Sequence, residues 1–186
     1  MAESDVRERL ITAGMELLAE AGTDALSLRE IARRAGVSHG APRRYFPTHQ
    51  SLLAALAHQG FARLGHLVTA TLGDDEAAPR DAVLAMARGY VAFAAAGPGM
   101  YALMFRHDLL RGNELGLREA STGLFGVLVN RLDQAGVARP EVAAATLWAA
   151  LHGIAQLWQW GSLQVPTGLD DPEPLLTAAV DAHLKG

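Results

Sequence analysis

The sequence contains no cysteine, so the chain can form neither a disulfide framework nor a thiolate metal site. It is also poor in charge, since charged residues make up 19% of its 186 positions. An apolar leader is missing too, because the first ten residues, MAESDVRERL, are charged where a secretory signal would be hydrophobic. These absences exclude a disulfide-stapled secreted fold and favour a cytoplasmic protein.

Signatures of the common enzyme classes are missing as well. The seven histidines do not fall at zinc-site spacing, and the sequence holds no HExxH motif, P-loop or GxGxxG motif. Neither the segment GLREAS nor the segment HGIAQ supplies a nucleophile with a base beside it. The sequence therefore predicts no enzymatic activity, no cofactor and no metal site.

No stretch alternates apolar and polar residues as a half-buried strand does. Apolar residues recur at helical spacing instead, between breaks that contain glycine and proline. The pattern predicts an all-α fold of about nine helices, and the longer ones cover residues 6–21, 48–72, 81–96, 114–136, 140–163 and 175–184.

Residues 142–169 contain no charged side chain, and such a run is long enough to cross a bilayer. Against a membrane span, His152, Gln156 and Gln159 lie at i, i+4 and i+7 and form a polar stripe. No basic flank marks a cytoplasmic end either. We therefore expect no membrane segment here, but a helix buried in a bundle or at a subunit interface.

Positive charge is concentrated in one short segment of an acidic chain. The whole sequence has 16 basic and 20 acidic residues, yet between Arg29 and His49 a single acid, Glu30, faces five arginines. Local charge is what a polyanion meets. The segment is thus a candidate nucleic-acid surface, and its arginines are Arg29, Arg33, Arg34, Arg43 and Arg44.

The same segment has the pattern of two short helices joined by a tight turn. Ser27 and Glu30 form a capping box, in which the hydroxyl accepts an amide proton and the carboxylate reaches back. Gly36 permits the turn, and the small Ala32 permits close packing of the two helices. A second helix in this arrangement offers its N-terminal residues to the major groove; these are Ser38, His39, Gly40 and Ala41, followed by Arg43, Arg44 and Tyr45.

In order and spacing, SLREIARRAGVSHGAPRRYF and the following PTHQSLLAAL resemble the DNA-binding domain of the TetR family of transcriptional repressors. The segment LWAALHGIAQLW (147–158) resembles the Trp–His–Gly signature of one C-terminal subgroup, with Trp148, His152 and Gly153 in its positions. The resemblance implies a three-helix helix-turn-helix domain at residues 5–65, with the motif itself at 27–47. It implies a larger helical ligand-binding and dimerisation domain at residues 66–186.

The resemblance also implies which residues meet DNA. Ser27, Tyr45 and His49 lie where the family contacts phosphates, and His39, Gly40 and Ala41 lie where it meets bases. Arg43 stands where many members have a tyrosine that touches the backbone, and Arg44 follows it. His49 occupies a position where lysine is usual, so its contact depends on protonation.

Pro42 departs from the family pattern, which commonly has a branched apolar residue there. If Ser38 capped the second helix, Pro42 would lack the amide proton for the bond to the Ser38 carbonyl, and its ring would crowd that carbonyl. Either the turn is distorted, or the helix begins later, near Gly40, where proline in the first turn is tolerated. We favour the later start.

The C-terminal two thirds is rich in aromatic residues, which suit both a core and an apolar ligand cavity. His152 lies in an uncharged helix and needs a hydrogen-bond partner if it is buried, so a structural role is favoured for it. The candidate effector contacts are Tyr90, Tyr101, Met104, Phe105, Trp148 and His152.

The resemblance implies a homodimer that binds a palindromic double-stranded DNA operator, represses transcription, and is released by a small apolar or aromatic effector. The seam would be a four-helix bundle, formed by helices 114–136 and 140–163 or by the latter with 172–184. Neither the effector nor the operator can be named from the sequence. The alternative function is a helical ligand-binding or protein-interaction module without DNA binding, which Pro42 and the histidine at position 49 favour.

Overall fold

The computed structural model describes residues 2–72, 78–106 and 116–184. Within these ranges it contains helices and no strand, which confirms the all-α prediction. One 3-10 turn, Thr23–Ala25, accompanies ten α-helices: α1 Ala2–Ala21, α2 Leu28–Arg34, α3 Ala41–Tyr45, α4 His49–Leu72, α5 Pro79–Ala96, α6 Pro98–Met104, α7 Leu117–Gln134, α8 Pro140–Gln159, α9 Gln164–Thr167 and α10 Glu173–Leu184.

The predicted helix over 140–163 is wrong at its C-terminal end. Helix α8 ends at Gln159, and Gly161 follows with a φ of 73°. A backbone in this left-handed conformation cannot continue a right-handed helix, and glycine adopts it without the steric cost of a Cβ. The chain then forms the short α9, which accounts for the tenth helix among the described residues. The predicted break at 111–113 lies outside the described residues.

The chain divides into two compact units. The first comprises Met1–Ala62 and Gly97–Ala120, and the second comprises Arg63–Ala96 and Ser121–Gly186. The boundary at 62/63 lies close to the one predicted at residue 65. The predicted division into residues 5–65 and 66–186 differs at α6, because the segment that carries α6 belongs to the first unit.

In the first unit, α1 packs on α2, α3 and α6. The apolar stripe of α1 reaches the core as predicted, and Leu10, Leu17 and Leu18 are each at most 3% exposed. Gly99 in α6 lies against the backbone of α1, since a Cβ built on it would be 2.7 Å from the Leu18 carbonyl oxygen. The absence of a side chain at Gly99 therefore sets how closely α6 approaches α1.

We predict that Gly99→Ala lowers the free energy of unfolding by about 1–3 kcal/mol, because overpacking against backbone forces a helix to shift. Urea denaturation measures this. The matched control is Gly65→Ala on α4, where an added Cβ would meet the Leu124 Cδ2 at an ordinary 3.7 Å. That control should raise stability by roughly 0.5–1 kcal/mol, as alanine does in a helix interior. Equal losses in both variants would contradict the assignment of a close contact at Gly99.

The second unit is built on mutual packing of α5, α8 and α10. Two ion pairs fasten α10 to α5 at different points along the helices. Arg80 lies 2.7 Å from Asp181, and the Arg88 Nε donates to the Glu173 carboxylate at 2.9 Å. Helix α10 is thus held against its own chain along most of its length.

Candidate nucleic-acid interface and effector-site residues

The turn between α2 and α3 is closed by backbone hydrogen bonds. The Val37 amide donates to the Ala32 carbonyl at 3.1 Å, and the Gly36 amide donates to the Arg33 carbonyl at 3.2 Å. This pair of bonds is the Schellman motif, which requires a left-handed residue after the helix. Gly36 supplies it with a φ of 64°, so the predicted glycine turn is confirmed.

Only one of the two predicted contacts of the capping box at the start of α2 is present. The Glu30 amide donates to the Ser27 Oγ at 3.2 Å, which confirms Ser27 as the N-cap. The Glu30 carboxylate does not reach back, but accepts from the Arg33 Nε at 2.8 Å and also pairs with Arg34. A guanidinium is the stronger partner for this carboxylate, because both groups are charged.

Two of the five arginines in the basic segment are therefore neutralised locally. The Arg33 guanidinium lies 2.6 Å from Glu30, and that of Arg34 lies 2.6 Å from Glu20 of α1. Hydrogen bonding to Arg33 lowers the pKa of Glu30 from 4.5 to about 2, so this carboxylate stays ionised at neutral pH. The free positive charge is smaller than the sequence suggested, and it lies on Arg29, Arg43 and Arg44, which make no ion pair with described residues.

Helix α3 begins late, as the position of Pro42 predicts. Gly40 is the N-cap, Ala41 is the first helical residue, and Pro42 lies in the first turn, where its missing amide proton costs nothing. Pro42 is also buried, so it contributes to the core of the first unit. The proline thus fixes the backbone immediately before Arg43 and Arg44 without distorting the turn.

Most predicted DNA contacts are accessible. Ser27, Ser38, His39, Gly40, Arg43, Arg44 and His49 are exposed, while Ala41 and Tyr45 are half-buried. None of the nine is buried, which a contact surface requires. All nine are thus at least partly accessible: Ser27 caps α2, and the other eight lie just before α3, within it, or at the start of α4.

A cap that the sequence reading missed fixes the start of α4. The Ser51 amide donates to the Thr48 Oγ1 at 3.0 Å, and the Thr48 amide donates to the Ser51 Oγ at 3.1 Å. This is a reciprocal box in which serine takes the place of the usual glutamate. The signal in the sequence is TxxS, and its effect is to place exposed His49 at the first residue of α4.

Three of the six predicted effector contacts form one polar network in the second unit. The Tyr90 hydroxyl lies 3.0 Å from the His152 Nδ1, and the Trp148 Nε1 donates to the Tyr90 hydroxyl at 3.2 Å. The Phe125 ring meets Trp148 edge-on, with centroids 6.5 Å apart. His152 thus has a protein partner, which agrees with the structural role favoured for it.

The other three lie in the first unit. The Tyr101 and Phe105 rings are edge-to-face with centroids 5.1 Å apart, and Phe61 joins them at 6.1 Å from Phe105. Tyr101 and Met104 are each 1% exposed. Both side chains therefore fill the core of this unit.

Burial lowers the pKa of His152 from its ordinary 6.5. A base whose pKa is lower in the folded than in the unfolded chain binds fewer protons when folded. Its contribution to stability is therefore complete above pH 6.5 and is lost as the pH falls below it. We predict that an NMR titration of the His152 ring gives a midpoint below 6.5, and that His152→Gln flattens the fall in stability on the acid side. A midpoint at or above 6.5 would contradict the assigned burial.

Among the residues that the model describes, none of the helices combines the length and the apolarity that crossing a membrane requires. The longest uncharged run identified in the sequence is divided between α8 and α9.

Two protein-family models match the chain. Residues 10–56 match the N-terminal model of the bacterial regulatory proteins of the tetR family, and residues 83–183 match a tetracyclin repressor-like C-terminal domain. No curated protein matches the chain.

Solved structures also resemble the chain over nearly its whole length. A protein of unknown function from Rhodococcus sp. RHA1 is 33% identical, with a TM-score of 0.83 over 97% of this chain and 94% of that one. A TetR-like transcriptional regulator from Rhodococcus sp. RHA1 is 17% identical, with a TM-score of 0.71 over 97% and 96% of the two chains. The fatty acid degradation regulator FadR from Bacillus halodurans is 16% identical, with a TM-score of 0.70 over 96% and 94%.

The N-terminal match covers the capped helix, the glycine turn and α3, so the alternative of a helical module without DNA binding is set aside. The family is one of transcriptional regulators and is not an enzyme family. With an N-terminal helix-turn-helix and a C-terminal helical domain that both match its models, the chain belongs to the TetR family of DNA-binding transcriptional regulators.

Proposed function

We propose that the protein is a cytoplasmic, homodimeric repressor that binds a palindromic operator and is released by a small apolar or aromatic effector. The observation that supports the DNA-binding surface is that Arg43 and Arg44 are exposed and form no ion pair with described residues, on a helix that follows a tight turn. Arginine is the side chain that most often reads guanine in the major groove. The C-terminal domain is proposed to belong to the Trp–His–Gly subgroup.

The proposed DNA contacts are the nine predicted residues together with Arg29. Arg29 is exposed in the first turn of α2, two residues after the Ser27 cap, and forms no ion pair with described residues. Phosphate contacts set affinity and register, whereas base contacts set specificity. We assign Ser27, Arg29, Tyr45 and His49 to phosphates. We assign His39, Gly40 and Ala41, with the following Arg43 and Arg44, to the bases.

His49→Lys is predicted to strengthen DNA binding at neutral pH, because it restores the lysine that is usual at this position in the family and with it a permanent positive charge for a phosphate. The salt dependence should steepen by about 0.9 in log–log slope, the value for one added phosphate contact. Fluorescence anisotropy at several salt concentrations measures both quantities. His58→Lys adds the same charge at another exposed position of α4. If the two variants gain equally, His49 has no specific contact.

A second copy of the chain is the proposed partner of α7 and α8. The outer face of α8 is uncharged and apolar at Val142, Ala149 and Gly153, and Trp160, the C-cap that follows α8, is 67% exposed. An apolar face of this kind marks a protein interface. A symmetric dimer would use the same face on both copies.

Between the two seams that the sequence left open, we favour α7 with α8. Helix α10 is fastened to α5 of its own chain by the Arg80–Asp181 and Arg88–Glu173 pairs. Helix α7, in contrast, carries Gly123 and Gly126, where an added Cβ would meet no described atom within 4 Å. Small residues on an open helix face allow a partner helix to approach closely.

For the effector, we favour Tyr90, Trp148 and His152 over the residues of the first unit. These three combine aromatic surface with hydrogen-bonding groups, and Trp148 is 39% exposed. Tyr101, Met104 and Phe105 are proposed as secondary candidates, because Tyr101 and Met104 already fill a core. A ligand site of mixed aromatic and polar lining suits a small molecule with a ring.

Release from DNA is proposed to be a population shift. An effector that binds the C-terminal domain best in a dimer whose recognition helices are wrongly spaced lowers operator affinity by its differential affinity for the two states. Titrating the operator complex with small aromatic and apolar compounds tests this. A compound that weakens the complex in the wild type, and acts less on Tyr90→Phe, supports the proposal; no change with any compound or with cell extract would count against induction.

A further inference from the structure

Arg9 on α1 makes a contact that the sequence reading assigned to no role. Its Nη2 donates to the Ala35 carbonyl and also to the Gly36 carbonyl, the latter at 3.3 Å. Ala35 is the C-cap that follows α2, and Gly36 forms the turn that leads to α3. One side chain therefore connects α1 to the joint of the helix-turn-helix.

The two carbonyls that accept hydrogen bonds from Arg9 lie beyond those used by the turn itself. The Schellman bonds occupy the Ala32 and Arg33 carbonyls, and the Ile31 carbonyl accepts from the Ala35 amide. Arg9 supplies donors for the carbonyls of Ala35 and Gly36, which follow Arg34 in the chain. A guanidinium suits this position because its donors form a rigid planar fork, whereas a lysine ammonium fixes no plane.

A second contact from α1 lies at the other end of α3. The Arg7 guanidinium lies over the Phe46 ring at 5.5 Å from its centroid, and Phe46 is the buried residue that ends α3. Helix α1 thus touches the chain just before and just after the recognition helix. The Arg9 contact is the one that bears on the angle between α2 and α3, because it is made at the turn.

We propose that Arg9 is a positioning residue for DNA recognition, which fixes the turn of the helix-turn-helix and thereby the direction of α3, without itself touching DNA. The proposal rests on the DNA-binding role of α3 stated above. The proposal distinguishes sequence specificity from general affinity for DNA. Loss of Arg9 should reduce discrimination between sequences, while the sequence-independent attraction to phosphates should persist.

The test uses the full-length protein and a duplex that the wild type selects from a randomised library. Affinities for this duplex and for a scrambled duplex of equal length are measured at several salt concentrations. Arg9→Met keeps the aliphatic bulk and removes the donors. We expect about a tenfold loss for the selected duplex, no more than roughly a twofold change for the scrambled one, and an unchanged salt slope. Arg9→Lys, which retains a charged donor group but loses the planar guanidinium, should fall between the wild type and Arg9→Met.

Arg29→Met is the contrasting variant, because it removes the same charge from a proposed phosphate contact. It should weaken both duplexes alike and reduce the salt slope by about 0.9. If Arg9→Met behaves in that way, Arg9 is a phosphate contact and the positioning role is overturned.

An unchanged ratio of the two affinities in a folded Arg9→Met protein, checked by circular dichroism, would overturn the role equally. Should Arg9→Met fail to fold, the ratio for Arg9→Lys decides the question in the same way. If the wild type selects no duplex, both the proposed DNA-binding surface and this inference are overturned. If the wild type selects a duplex and the Arg9 variants keep its ratio of affinities, only the inference is overturned.

Discussion

Gly153→Leu is expected to convert the dimer into monomers and to lower operator affinity by at least about a hundredfold, the lower end of what linking two binding modules contributes. Within one chain there is room for a Cβ at this position, because an added Cβ at Gly153 would meet no described atom within 4 Å. Leucine also favours a helix over glycine by roughly 0.8–1 kcal/mol. The variant should therefore fold at least as well as the wild type and yet fail to associate, since a leucine would separate helices that pack closely across the seam.

Size-exclusion chromatography with light scattering gives the oligomeric state, and thermal unfolding gives the stability. Ala70→Leu adds apolar bulk at an exposed position of α4 and serves as the control. It should remain dimeric. A Gly153→Leu protein that is still a dimer would place the seam elsewhere than on this face of α8.

The double variant Arg43→Ala/Arg44→Ala is expected to lose more than tenfold in operator affinity, because each arginine that reads a guanine contributes about 1–3 kcal/mol. Both side chains are exposed and neither pairs with an acid among the described residues. Their charge is thus available to DNA at no cost in broken ion pairs. Binding curves for the selected duplex measure the effect.

Arg33→Ala is the matched control, since it removes an arginine of the same segment that is already engaged with Glu30 at 2.6 Å. It should change operator affinity by less than about twofold, in line with the small energy of an exposed ion pair. Should Arg33→Ala be as damaging as the double variant, the assigned recognition surface is wrong and total charge decides binding instead.

Local stereochemistry made much of the helix-turn-helix predictable. Pro42 restricts its own backbone and lacks an amide proton, so the start of α3 near Gly40 followed from the residue alone. Ser27 and Gly36 are likewise recognisable, because a cap and a left-handed turn each depend on a few neighbouring residues. These features are encoded within about one helical turn of the sequence.

Contacts between distant segments were not predictable in this way. Nothing near Arg34 indicates that it pairs with Glu20 of α1, and nothing near Tyr90 indicates a bond to His152, 62 positions away. The charge available to DNA was overestimated for that reason. The assignment of α6 to the first unit depends on the close approach of Gly99 to Leu18, which a linear pattern does not show.

The C-terminal end of α8 was predicted wrongly for a different reason. Glycine is tolerated within a helix and also ends one, so the sequence alone does not show which of the two Gly161 does. The apolar residues around it continued a helical period, and the pattern predicted a continuous helix. The backbone of Gly161, with a φ of 73°, settles the choice.

Methylation interference on the selected duplex tests the central claim most directly, because the guanine N7 lies in the major groove. If the arginine-bearing α3 of each protomer enters that groove, interference should appear as two symmetric patches about one helical turn, roughly 34–36 Å, apart, and Arg43→Ala/Arg44→Ala should abolish both. A single patch, a pattern that ignores major-groove guanines, or an unchanged footprint in the double variant would contradict the account.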